Sequence, residues 1–178
     1  MKNYTFDQEI DSKGLERICE IINDAEKESD DIRLIFTTKG GSVSDALMMA
    51  HLLNKCTVDV EINIIWQCDS AGIDFILALD EEVTTFVHPL AHGMLHMVDR
   101  DTSWKDTTFR KTSTDAILID QISKINERFN TLFLPHLTED QKKIYLEGGD
   151  IRLLSDDLST FLRNVRETLK KEPFLLSL

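Results

Sequence analysis

The sequence predicts an α/β fold with a parallel sheet, on three observations. Apolar residues alternate with a period of two in Val58, Val60, Ile62 and Ile64, the mark of a half-buried strand. They recur every three or four residues in segments such as 15–27, the mark of an amphipathic helix. The two patterns take turns through the first half of the chain, as βαβ units do. Right-handed crossovers then join the parallel strands.

The elements follow in order. Tyr4-Thr5-Phe6 already begins the fold. Leu15, Ile18, Ile21, Ile22 and Ala25 share one helical stripe, with Asp11 and Ser12 supplying N-cap chemistry just before it. Residues 32–37 form a short β-rich run. A turn, KGGSVSD, leads into a helix through 46–55. Residues 58–66 alternate as a strand, Asp69-Ser70-Ala71-Gly72 opens an apolar helix over 73–79, and 81–87 and 93–98 read as two further strands. Residues 99–112 are polar and irregular. A long helix follows over 114–133, striped by Leu118, Ile122, Ile125, Phe129 and Leu132, and Pro135 stops it. A stripe of that length needs a covering surface, which either the domain itself or a neighbouring subunit could supply. Thr138 and Gln141 form a capping box for a short helix, and 156–170 make a last amphipathic one.

The 178 residues suit one domain, and 42% apolar content sustains a core. The 32 acidic against 20 basic residues leave a net charge of −12, which opposes nucleic acid or an anionic membrane as partner, because both select clustered positive charge. No apolar run is long enough to cross a bilayer and no basic–apolar leader opens the chain, so a cytoplasmic protein is expected. Cys19, Cys56 and Cys68 lack metal-ligand spacing and read as reduced thiols. His88, His92 and His96 stand four residues apart, but Pro89 and Gly93 oppose the helix that would make such spacing a metal site. No metal or other cofactor is expected.

Three features carry candidate chemistry. Gly40 and Gly41 follow a strand, where backbone N–H groups can face outward with no Cβ in the way; alone, they read as an ordinary tight turn. Ser70 lies between an apolar strand and an apolar helix, where small neighbours leave room for a carbonyl; alone, it reads as a helix N-cap. His96 sits in the apolar run MLHMV and suits a general base near neutral pH; alone, it reads as a hydrogen-bonded core histidine.

Together, in this order and setting, these features resemble the Clp protease proteolytic-subunit family. The glycine turn reads Thr38-Lys39-Gly40-Gly41-Ser42-Val43, the nucleophile turn Asp69-Ser70-Ala71-Gly72, and the histidine strand Pro89-Leu90-Ala91-His92-Gly93-Met94-Leu95-His96. The handle reads SKINERFNTLFLPHLTEDQ over 123–141, and the resemblance spans about residues 4–158. It implies a crotonase-like ββα superhelix with a protruding handle helix, in one domain whose head covers about 1–98 and 142–178 and whose handle covers about 99–141. It implies Ser70 as nucleophile, His96 as base, and the N–H groups of Gly41 and Ala71 as oxyanion hole. It also implies a ring-like homo-oligomer that cleaves peptides or unfolded proteins, with an AAA+ unfoldase as a further partner.

Alignment of the family's acid on the last helix falls at Leu146, with Glu147 beside it; Asp150, in Gly148-Gly149-Asp150, is the choice if the loop is shorter. Several positions depart from the pattern: Lys39 stands for a proline, Asp69 for a small apolar residue, Asp74 enters an apolar helix, Phe161-Leu162-Arg163-Asn164 replaces a glycine-containing motif, and the axial N-terminal segment is almost absent. An active serine endopeptidase is the first expectation, and a silent structural relative the second. An acyl-CoA enzyme of crotonase type needs a CoA pocket and usually acidic catalysis, whereas Ser70 and His96 favour a peptidase. A Ser–Lys dyad lacks a lysine in a suitable setting, Lys39 and Lys55 included.

Overall fold

Period-two burial builds the sheet. In the computed structural model, which describes residues 1–97 and 113–171 (side chains for 1–97 and 123–171), β1 spans Lys2–Asp7, β2 Ile32–Thr38 and β3 Val60–Asp69. Leu34 and Phe36 on β2, and Ile62 and Ile64 on β3, are fully buried and turn to the core, while Arg33 and Glu61 turn away and pair at 2.6 Å. With β4 at Thr84–Val87, β5 at His92–Leu95 and β6 at Ile151–Leu154, the strand order is β1-β2-β3-β5-β6, with β4 beside β3 off this path, and β1–β2, β2–β3, β3–β4 and β3–β5 are parallel.

Strand β3 is long enough to take two partners along one edge. Its first half pairs with β4 (Thr84–Val87) through Glu61↔Thr84 to Ile64↔Val87. Its second half pairs with β5 (His92–Leu95) through Gln67↔His92 to Asp69↔Met94. Pro89, with no N–H to give, interrupts the edge between them. The run expected as a strand over 93–98 ends at Leu95, so His96 follows the strand end instead of lying within it, and Val98 lies outside the described residues.

The helices follow the stripes. Helix α1 (Ser12–Glu28) buries Ile18, Ile21 and Ala25, and the Asp11 carboxylate caps it by accepting from the Gly14 N–H at 2.9 Å. Helix α2 (Val43–Lys55) buries Ala46, Met49, Ala50 and Leu53, and α3 (Ala71–Leu77) is buried at every position. Phe6, Phe36 and Phe75 stack in sequence, with centroids 5.2 and 4.8 Å apart, and tie β1 through β2 to α3.

Two compact units result: Met1–Leu95 with Arg152–Arg166, and His96–Ile151 with Glu167–Leu178. In the first, Leu158 of α6 (Ser155–Lys171) packs toward Gly93, and Arg166 donates to the Ile76 carbonyl at 2.8 Å. In the second, α4 (Ser113–Phe133) ends in a 3-10 turn at Leu134–His136, and α5 (Glu139–Leu146) begins at the expected Thr138/Gln141 capping box. Phe129, Leu132, Phe133, Leu137 and Tyr145 of this unit are buried, and the rings of Phe129 and Phe133 stack with centroids 5.2 Å apart. Residues 99–112 and the side chains of Leu118 and Ile122 lie outside the described residues. Strand β6 (Ile151–Leu154) was not read from the sequence; four residues leave too short an alternation to see.

Candidate functional site

The strand-to-helix turn at Ser70 is one residue long. β3 ends at Asp69 and α3 starts at Ala71, so Ser70 alone reverses the chain, with φ 52° and ψ −124°. A residue carrying a Cβ rarely takes such a φ, and holding it there costs about 1–3 kcal/mol. Its neighbours fix the geometry: the Ser70 N–H donates to the Met94 carbonyl at 2.8 Å, and the Ser70 carbonyl accepts from the Ile73 N–H at 2.8 Å. Ser70 occupies the N-cap position of α3, yet its side chain makes no cap hydrogen bond. The ordinary capping explanation for this serine therefore fails, and the side chain stays partly exposed.

The glycine loop touches that turn. Gly40 has φ 95° and Gly41 φ 142°, both in the left-handed half of backbone space. A Cβ placed on Gly40 would lie 2.7 Å from the Ser70 Cβ and 3.2 Å from the Ala71 N; one on Gly41 would lie 2.2 Å from the Ile10 carbonyl oxygen. Ile10 anchors the loop, donating to the Gly40 carbonyl and accepting from the Ser42 N–H, each at 2.8 Å. The Thr38 hydroxyl accepts from the Gly40 N–H at 3.1 Å. The Gly41 N–H has no acceptor among the described residues, and Ala71, as the first residue of α3, has none within its helix. Ile10 escapes the sequence reading, because a contact between residues so distant along the chain leaves no local pattern; Thr38 belongs to the glycine turn itself and holds the Gly40 N–H two residues on.

The other two predicted residues lie in the second unit. His96 Nδ1 is 4.0 Å from Asp150 Oδ1, within reach of an electrostatic attraction but longer than a hydrogen bond. Asp150 follows Gly148, at φ 80°, and Gly149 after the end of α5, so the glycine turn leads to this acid. Leu146 is exposed and ends α5, and Glu147 is its exposed C-cap.

Burial sets the chemistry around Ser70. Cys68 is fully buried, and desolvation, with Asp69 and Asp74 adding to it, pushes its thiol far up; it is no nucleophile. Asp74 is buried in α3, and desolvation raises its carboxyl from 3.8 to about 7. Asp69 is also buried; the Gln67 amide donates to its Oδ2 at 2.5 Å, while its Oδ1 has no partner among the described residues. No group of three metal-binding side chains gathers among the described residues, and none of the helices they form is long and apolar enough to cross a membrane. A groove on the opposite half of the sheet is lined by Asn3, Arg33, Glu61, Asn63, Phe86 and His88, among others. It lies toward the starts of β2 and β3, whereas Ser70 sits at their carboxyl ends, where open α/β sheets usually place their chemistry.

The family model described as Clp protease matches residues 3–148, most of the chain and all of the Ser70 and glycine turns. This chain is a member of the Clp protease family. Its mixed α/β architecture agrees with that fold, and membership suggests serine peptidase activity. The match ends just short of Asp150. No curated protein matches the chain.

Proposed function

We propose that this Clp-family chain is a serine endopeptidase that hydrolyses peptide bonds in peptides or unfolded proteins. The observation that carries the reading is Ser70 itself: a serine at φ 52°, in a one-residue turn between β3 and α3. Such strain persists where the fold over-determines it, and a nucleophile raised on a sharp strand-to-helix turn is one use of it.

In this mechanism Ser70 Oγ attacks the scissile carbonyl carbon while His96 takes its proton. The carbonyl oxygen becomes an oxyanion, and the N–H groups of Gly41 and Ala71 receive it; one such donor is worth about 3 kcal/mol in the transition state. His96 then returns the proton to the leaving amine as the C–N bond breaks. Water, deprotonated by His96, frees the acyl group and restores Ser70. Asp150 orients His96 and stabilises its cation. No cofactor takes part.

The same reading makes the chain one peptidase domain with a handle over about 99–141, assembled into a homo-oligomeric ring. Trp66, Phe86 and Leu90 are 56%, 51% and 66% exposed, which supports assembly, because a second copy would cover such apolar surface. An AAA+ unfoldase is the partner such an assembly would serve. The 4.0 Å separation of His96 and Asp150 favours a second reading, a relative that keeps the fold without turnover.

Labelling with a fluorophosphonate probe tests the first reading. The wild type should label, and Ser70→Ala and His96→Ala should not. A folded, assembled wild type that fails to label would leave the silent relative. Light scattering tests the ring, and a 20.4 kDa monomer would end that part of the proposal.

A further inference from the structure

Asp69 precedes Ser70, and the residue is 5% exposed. One oxygen, Oδ2, accepts from the Gln67 amide at 2.5 Å, and the other, Oδ1, is covered and has no hydrogen-bond partner among the described residues. A buried carboxylate oxygen left unpaired is costly, and nearly all such atoms in folded proteins find a donor. Gln67 holds the carboxylate in place yet is neutral, so the charge is uncompensated at that contact. In register across β3 and β5, Asp69 stands opposite Met94, the residue whose carbonyl accepts from the Ser70 N–H. Methionine is unbranched and adapts its shape, so a group entering beside Asp69 meets a side chain that can move aside. Aspartate is costly at this place for folding alone, since a small apolar residue would suit a buried strand end without an orphaned oxygen.

We propose that Asp69 is a specificity-determining residue, whose unpaired Oδ1 receives a cationic side chain, lysine or arginine, from the substrate residue flanking the bond that Ser70 attacks. This rests on the peptidase reading of Ser70. Adjacency supplies the reach: an acyl group on Ser70 places its own side chain within a few bonds of the preceding residue. The cation would complete the carboxylate with a charge-assisted hydrogen bond. Substrates with an apolar side chain there would leave Oδ1 unpaired, and selection of this kind rejects them more strongly than a pocket chosen for shape alone.

The test uses pairs of fluorogenic peptides that differ only in arginine or leucine on the acyl side of the cleaved bond, with fluorophosphonate labelling alongside. The wild type should favour arginine by about 10- to 100-fold in kcat/KM, the scale of one charge-assisted hydrogen bond. In Asp69→Asn, matched in shape, the ratio should fall toward one. Labelling together with a leucine preference that Asp69→Asn leaves unchanged would overturn the inference and keep the peptidase. An unlabelled wild type would overturn the peptidase reading. Calorimetric titration with arginine amide then decides on Asp69 separately: binding that disappears in Asp69→Asn sustains a cation site, and equal binding or none overturns it. Should the asparagine variant not fold, Asp69→Ser serves in both measurements.

Discussion

A Cβ on Gly40 would lie 2.7 Å from the Cβ of Ser70, closer than two such carbons ever pack. The glycine loop and the serine turn are thus one fitted object, and each limits what the other can be. Gly40→Ala should therefore disturb both. Its φ of 95° adds backbone strain to the clash, and we expect a loss of about 1–3 kcal/mol in urea denaturation. Fluorophosphonate labelling should fall with it. A variant as stable as the wild type and labelled as fast would mean that the contact places no constraint on Ser70.

The strain at Ser70 itself is measurable. Ser70→Gly removes the Cβ that makes φ 52° unfavourable, and it should gain about 1 kcal/mol despite the entropy of glycine in the unfolded chain. Ser70→Ala keeps the Cβ and should stay near the wild type. Both should lose labelling. Equal stability of the two variants would show that the turn is relaxed.

Asp74 makes stability fall as pH rises. Burial lifts its carboxyl from 3.8 to about 7 in the folded chain, so the fold holds a proton that the unfolded chain releases. The contribution is complete below about pH 4, declines from there, and is lost once pH passes the folded value near 7. Asp74→Asn, which cannot ionise, should be less sensitive to pH between 4 and 8 and more stable than the wild type at pH 8, by an amount of order 2–4 kcal/mol. Denaturation midpoints of both proteins at pH 5 and pH 8 check this, and parallel shifts would refute it.

Asp150 should matter through His96. If it orients the imidazole, Asp150→Asn lowers kcat by at least about 100-fold, with KM for the same peptide little changed. Glu147→Gln should have a small effect. The reverse order would move the role to Glu147.

Periodicity alone placed most of the frame. The stripe on α1, the alternation on β3 and the capping box at Thr138 depend on nearest neighbours along the chain, and they appear where local pattern puts them. His96 shows the limit. The apolar neighbours of His96 in MLHMV suggest a strand through it, yet β5 stops at Leu95, one residue past Met94, its last partner on β3. Pairing is a property of two segments, and one segment's composition does not report it. β6 was invisible for a similar reason.

The candidate site divides the same way. Gly40-Gly41, Asp69-Ser70-Ala71-Gly72 and His96 each read alone as a turn, a cap or a core histidine, and they suggest acyl transfer only through their joint resemblance to the Clp protease family. Sequence does not distinguish a helix cap at Ser70 from another use, since both ask for a serine ahead of a helix. Only the tertiary structure chose, through the φ of Ser70 and the absence of a cap bond, and it did so because β5 holds the N–H of Ser70 while α3 holds its carbonyl. The burial of Asp69 and Asp74 was likewise decided in three dimensions. Sequence names a carboxyl group, but the dielectric around it and the donors within reach are set by residues far away along the chain.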